Sequence, residues 1–307
     1  MPVQRVNESE PLVKRRASST EYHTVEGEDK DTVASSPAWQ DKLGTRLRIR
    51  NNYVRIVFAE FLGTFVLCSL GIGAIAQSVL SKHDHPNGNI ITITLGWGLG
   101  IAMGIYVSGN VSGGHINPAV TLAMAIVGRI KVLMVPFYML GQYLGAFCAA
   151  FAIFVVYHDS LNFYTQGTRA VPYHANSTGD IWATYPLDHV TTQQGLADQI
   201  FSTFLFLIAI LAITDEKNMK VPKGMVPILI GMAFVGLLDS FTYNCGAALN
   251  PARDFSPRLF TTIAGWGTKP FSFRNGNWFW VPIVGPHIGA ALGALFYKLL
   301  VGIHWPN

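Results

Sequence analysis

The chain has 307 residues, 50% hydrophobic and 13% charged, with a mean hydropathy of +0.31, a net charge of +4, 30 glycines and 16 prolines. Residues 1–50 carry nine of the 22 Lys/Arg and eight of the 18 Asp/Glu, so the other 257 residues share only 23 charges; a soluble domain is about 25% charged, and this remainder is too apolar for one. The basic residues form no stripe that would suit a nucleic acid, and Cys68, Cys148 and Cys245 have no CxxC spacing, which argues against a disulfide framework or zinc site.

In chain order, residues 1–50 are polar, show no apolar period and are expected to form a disordered tail. No apolar core follows Met1, so no signal peptide is expected. Arg15-Arg16-Ala17-Ser18 fits a basophilic kinase site with Ser18 as acceptor, or equally a chance basic cluster. Apolar spans then fall near 54–77, 90–108, 132–157, 199–213, 225–243 and 278–302. Most reach or approach the roughly 20 residues that cross about 30 Å of hydrocarbon, the fourth and fifth being the weakest on length. Two shorter apolar stretches, near 117–127 and 250–263, each start with Asn-Pro after a glycine-rich turn. Asn suits an N-cap and Pro the first helical turn, so both read as half-helices that enter the membrane and stop. Broken backbone survives at that depth only when buried in protein or lining a wet cavity, which points to a pore or binding site.

The halves repeat. Glu60-Phe61-Leu62-Gly63-Thr64 parallels Gln199-Ile200-Phe201-Ser202-Thr203, Asn117-Pro118-Ala119 parallels Asn250-Pro251-Ala252, and the segment from Gly141 to Ala146 parallels that from Gly285 to Ala290. Three spans per half is an odd number, so the second half (about 198–302) is inverted relative to the first (about 54–157), and the half-helices enter from opposite faces. Sixteen of the 22 Lys/Arg fall on one side if the tail is cytoplasmic, which favours both termini inside a cell membrane. The 158–198 loop is then extracellular and carries the sequon Asn176-Ser177-Thr178. Glycines at four-residue spacing (Gly96, Gly100, Gly104; Gly141, Gly145; Gly285, Gly289, Gly293) read as close helix crossings.

The run from Ser112 to Thr121 (SGGHINPAVT) and that from Gly246 to Asp254 (GAALNPARD) resemble the two NPA boxes of the aquaporin, or major intrinsic protein, family. Asp254 after Arg253, Ala183-Thr184-Tyr185-Pro186 and Asp198-Gln199 resemble its animal aquaglyceroporin branch. The resemblance covers 54–302 and implies an all-α membrane protein of six transmembrane helices and two re-entrant half-helices in an inverted repeat. It implies a homotetrameric passive channel in the lipid bilayer for glycerol and water, without cofactor or catalysis. Two half-helix N-termini meeting at mid-membrane make a positive ridge that repels cations and protons. Asn117 and Asn250 can each donate to a passing oxygen, while Pro118 and Pro251 start the half-helices and Ala119 and Ala252 complete the motifs.

By resemblance Arg253 is the filter arginine, its fork suiting a polyol or water; the competing reading is an ion pair with Asp254. Trp97, twenty residues before Asn117, falls at the filter position that is often aromatic, or else faces lipid. Ala247 and Leu238 fall at the other filter positions. Glycerol channels often carry a larger residue where Ala247 stands and a smaller one where Leu238 stands, so the pore shape departs from the family pattern. Glu60 and Gln199, at matching depth, are expected to accept from loop amides before each half-helix. His115 supports the first box or senses pH, and Asp254 supports a loop. Asp239 either meets water at a span end or titrates near the pore mouth. Cys245 near the filter would make the pore sensitive to thiol reagents. The rival functions are a water-selective channel, which the residues at 97 and 254 oppose, and a coupled secondary transporter, which would need core carboxylates. A junctional or adhesive role has no support in the short C-terminus, and no nucleophile–base pair suggests an enzyme.

Overall fold

The computed structural model describes residues 39–82 and 87–306. Ser18 and the first 38 residues lie outside the described residues. Twelve α-helices occur among the described residues: α1 (Trp39–Leu47), α2 (Asn52–Leu80), α3 (Ile90–Ser112), α4 (Pro118–Ile126), α5 (Val135–Val156), α6 (His158–Thr165), α7 (Gly179–Trp182), α8 (Thr192–Thr214), α9 (Val226–Cys245), α10 (Pro251–Thr261), α11 (Lys269–Ser272) and α12 (Val281–Tyr297). The chain divides into a first unit ending at Arg48 and a second unit from Ile49 onward.

In the first unit, α1 departs from the expectation of a wholly disordered tail. Trp39, Leu43 and Leu47 recur every fourth residue on one exposed face, and Asp41 in the first turn and Arg46 in the last complement the helix dipole.

In the second unit, six helical segments are long and apolar enough to cross a membrane: Asn52–Leu80, Ile90–Ser112, Val132–Val156, Thr192–Thr214, Val226–Cys245 and Val281–Gly302. Local chemistry sets their ends. Asn51 caps α2 by accepting from Tyr53 N and Val54 N, and Asn89 and Thr92 form a capping box at α3. Pro stands in the first turn of α5, α9 and α12. The fourth span is longer than its apolar run. Thr191 accepts from Gln194 N at 3.1 Å and starts α8 seven residues before the expected 199, so that a mixed, largely polar segment builds its first two turns. The two half-helices are α4 and α10, with nine and eleven residues.

Helix α2 packs between α3 and α5, as α8 packs between α9 and α12. The glycines make these approaches backbone to backbone. A Cβ at Gly145 would collide with Phe61 O, and one at Gly289 with the matching Ile200 O. Each half-helix also packs across the repeat boundary, α4 on α12 and α10 on α5, while α3 meets α9. The outer faces carry large exposed side chains such as Phe58, Leu99, Leu140, Phe201 and Leu292, the surface an apolar solvent requires.

Candidate pore

The side carrying Asn51 and Gly302 is called proximal here, and the side carrying the 157–191 connection distal. Both half-helices begin in the interior, one after the turn that leaves α3 and the other after the turn that leaves α9. Gly113 and Gly246 end those helices with φ of 90° and 85°, which glycine adopts without penalty. The residues just before each Asn, Ile116 (φ 45°) and Leu249 (φ 52°), are also left-handed. That conformation is costly for non-glycine residues, and most so for β-branched Ile, so the surroundings must hold it.

They hold it twice over. Glu60 Oε1 accepts from Ser112 Oγ and His115 N (3.0 Å), and Glu60 Oε2 accepts from Ile116 N (2.6 Å) and Gln142 Nε2 (2.7 Å). In the second repeat Gln199 Oε1 accepts from Ala248 N (3.0 Å) and Leu249 N (3.3 Å), and its amide donates to Cys245 Sγ. Each strained carbonyl then receives the opposite asparagine. Asn117 Nδ2 donates to Leu249 O, and Asn250 Nδ2 donates to Ile116 O, both at 2.9 Å. Asn117 Oδ1 accepts from Ala119 N, and Asn250 Oδ1 accepts from Ala252 N and Arg253 N. An amide carries two donor hydrogens. One per Asn fastens the two half-helices together, and the other is left at a side chain that lines an internal cavity.

Two cavities run through this region. The proximal one, of about 350 Å³, is lined by Asn117, Asn250, Gly113, Gly114, His115, Arg129 and Thr214 together with apolar side chains. The distal one, of about 310 Å³, is lined among others by Leu238, Ala247, Asp180, Tyr185, Thr242 and Lys82. Three residues line both: Trp97, Phe234 and Arg253. The cavities therefore meet between these side chains. Trp97 is 3% exposed, so it faces protein and cavity rather than lipid. The Arg253 guanidinium lies 4.5 Å from the centroid of the Trp97 ring. Among the described residues its single hydrogen bond donates from Nη1 to Trp182 O at 3.4 Å, leaving most of its donor fork unclaimed.

The ion-pair alternative for Arg253 is not what forms. Asp254 Oδ2 accepts from Thr184 N (2.7 Å) and Thr184 Oγ1, and its Oδ1 accepts from Arg258 Nε (3.0 Å) and Nη2 (2.8 Å). Arg258 is fully buried, donates also to Thr184 O and Pro270 O, and stacks on Tyr185. This pair fixes the 183–186 segment that walls the distal cavity. The i, i+4 spacing of Asp254 and Arg258 inside the second half-helix was the signal for it. Phe234, four residues before Leu238 on the same face of α9, is a second residue the sequence reading did not assign. Gln142 is a third: it lies inside the repeated motif and bridges Glu60 to Thr121 Oγ1.

His115 packs its ring on Tyr138 (centroids 4.6 Å apart), shares a hydrogen bond between Nδ1 and Thr121 Oγ1, and lines the proximal cavity. At the proximal end Arg129 Nη1 donates to Thr214 Oγ1. Beside it burial works against the charge of Asp215, but the Lys217 amide, Tyr297, Trp305 and the charge of Arg129 together hold its carboxyl below the usual range. The expectation for Cys245 is corrected. Cys245 is buried against Gln199 and Asp198 and lines neither cavity. Asp239 is exposed on α9 and lines neither cavity, in keeping with a group that meets water, although α9 continues six residues beyond it.

Comparison with known proteins agrees with this architecture. A family model described as major intrinsic protein matches residues 48–297. The chain is 47% identical to human Aquaporin-10 over 261 residues, covering 85% of each chain. It is 44% identical to human Aquaporin-9 over 262 residues (85% of this chain, 88% of that protein). It is also 44% identical to Aquaporin-10 of Milnesium tardigradum over 291 residues (90% and 71%). The chain belongs to the major intrinsic protein family. As an aquaporin-family protein it is a multi-pass membrane channel and not an enzyme. Among solved structures it is similar to the aquaglyceroporin from Plasmodium falciparum, with a TM-score of 0.73 and 30% identity over 82% of this chain and 98% of that one.

Proposed function

We infer that residues 51–307 form a passive channel for glycerol and water, with the first 50 residues as a cytoplasmic appendage. The observation that carries this reading is the meeting of two cavities at an indole and a nearly unpaired guanidinium. A polyol has one face of C–H groups and one of hydroxyls. Trp97, with Phe234, offers the first an apolar wall, and Arg253 offers the second a fork of donors. Small Ala247 leaves room on the distal side, and Leu238 takes some of it back; all five side chains line the distal cavity. Similarity to the Plasmodium aquaglyceroporin supports glycerol as permeant.

Proton exclusion follows from the middle of the pore. Each half-helix N-terminus carries roughly half a positive charge, and Asn117 and Asn250 tie the two ends together. A water oxygen that accepts from both free amide hydrogens points its own hydrogens outward, which interrupts a proton wire. Pro118 and Pro251 lack an N–H at helix positions where it would find no partner, and Ala119 and Ala252 supply the amides that the Asn side chains cap. Glu60, Gln199, His115 and Asp254 act as supports of this frame.

The excess of Lys and Arg on the proximal side favours termini in the cytoplasm of a cell-membrane protein. Asn176, exposed in the distal loop within its sequon, is then an extracellular glycosylation candidate. The family's usual assembly supports a homotetramer with one pore per protomer. The transporter alternative predicts saturable flux. Radiolabelled glycerol uptake into proteoliposomes should instead rise linearly to high millimolar concentration, and saturation or dependence on an ion gradient would reject a channel.

A further inference from the structure

Glycine is among the least favourable residues in a helix interior, so a buried one in a 29-residue span needs a reason. At Gly71 the reason is Trp97. A Cβ built on Gly71 would overlap Cδ2, Cε3 and Cζ3 of the indole, each well inside 3.0 Å. The indole therefore lies directly against bare backbone of α2. The Arg253 guanidinium sits over the same ring, 4.5 Å from its centroid, and Trp97 and Arg253 line both cavities.

Helix α2 has no room to retreat from an added methyl group. On the α3 side, Gly100 already abuts Leu67 O, and Gly104 abuts Gly63 O at 2.6 Å from where a Cβ would stand. On the α5 side, Gly141 and Gly145 abut Val57 O and Phe61 O. The movable group is the indole, and the open space beside it is the pore. Gly73, two residues on, differs: a Cβ there meets only Ile153 Cδ1, at an ordinary 3.5 Å.

We propose that Gly71 is a specificity-determining residue of the channel, because its missing side chain sets how far Trp97 stands back from Arg253 and so how wide a solute passes between them. The inference rests on the glycerol-channel reading and names the residue that tunes that site. Gly71 acts through Trp97, as a positioning residue. A methyl group at 71 pushes the ring toward the guanidinium, which excludes a three-carbon polyol before it excludes water.

The test is paired water and glycerol permeability of purified protein in proteoliposomes, for wild type, Gly71→Ala, Gly73→Ala, Trp97→Ala and the Gly71→Ala/Trp97→Ala double variant. Gly71→Ala should lower glycerol permeability at least roughly tenfold, while water permeability falls less than about threefold and Gly73→Ala matches wild type (order-of-magnitude expectations for a steric filter). The double variant should match Trp97→Ala within about twofold, since no indole remains to be displaced. If Gly71→Ala keeps the wild-type glycerol-to-water ratio, or lowers glycerol flux equally with and without the indole, the proposal is overturned. If Gly71→Ala fails to fold, the double variant decides: folding with the permeabilities of Trp97→Ala supports the proposal, and failure to fold overturns it. A wild-type protein that passes water and no glycerol rejects the underlying reading instead, and the wild-type arm alone reveals that.

Discussion

Glu60 and Gln199 hold equivalent positions in the two repeats, yet the structure makes them non-interchangeable. Both oxygens of Glu60 are occupied by donors: Ser112 Oγ and His115 N on one, Ile116 N and Gln142 Nε2 on the other. Gln199 needs only one oxygen for its two backbone amides, and its NH₂ faces Cys245 Sγ. In Glu60→Gln, an NH₂ must replace one acceptor. Placed at the Oε2 site it can be met by a flip of Gln142, whose Oε1 is buried without a partner, but Ile116 N is left unsatisfied. Placed at the Oε1 site it can donate to Ser112 Oγ, but His115 N is left unsatisfied. Either way one buried N–H is orphaned, at about 1–3 kcal/mol. That is a fall in melting temperature of roughly 2–12 °C, at about 2–4 °C per kcal/mol. Thermal unfolding of the purified protein in detergent, followed by intrinsic tryptophan fluorescence, reads it directly. The swap Glu60→Gln/Gln142→Glu restores a donor–acceptor pair and should recover part of the loss. Unchanged melting for Glu60→Gln would refute the account of how the first loop is held.

Other consequences are equally concrete. Arg258→Ala leaves the Asp254 carboxylate buried with Thr184 alone and should destabilise the protein by about 3–5 kcal/mol, in the same melting assay; a loss under about 1 kcal/mol would show the pair to be dispensable. Phe234→Leu removes ring volume where the cavities meet, and should raise the glycerol-to-water permeability ratio severalfold; an unchanged ratio would place the filter elsewhere. Cys245→Ala should leave sensitivity to a membrane-impermeant thiol reagent unaltered, because the thiol lines neither cavity, and relief of block by this substitution would contradict its placement.

The architecture was legible because a membrane imposes long apolar runs and punishes broken backbone. That made six spans and two Asn-Pro half-helices stand out, and the repeat gave their pairing. The start of α8 lies outside the apolar run because Thr192 to Asp198 is mixed, with Leu196 and Ala197 among polar residues, whereas capping by Thr191 lengthens the helix regardless of hydropathy. Helix α1 escaped because three apolar residues in nine are too few to register as a period. At the pore, Asn117, Asn250 and Arg253 are marked by motif, but Phe234 is one apolar residue among many on α9, and only its position between the cavities distinguishes it. Asp254 and Arg253 are adjacent in sequence, which suggests a pair; helical geometry sends them to different faces and gives Asp254 to Arg258 instead. Cys245 is near the filter in sequence and behind it in space for the same reason.

The central claim is that one pore passes both water and glycerol. Stopped-flow light scattering of proteoliposomes mixed with hyperosmotic glycerol tests it in a single trace. Rapid shrinkage as water leaves, followed by re-swelling far faster than in protein-free vesicles as glycerol enters, is the predicted result. Rapid shrinkage with re-swelling no faster than in protein-free vesicles would make the protein a water-selective channel and contradict the account.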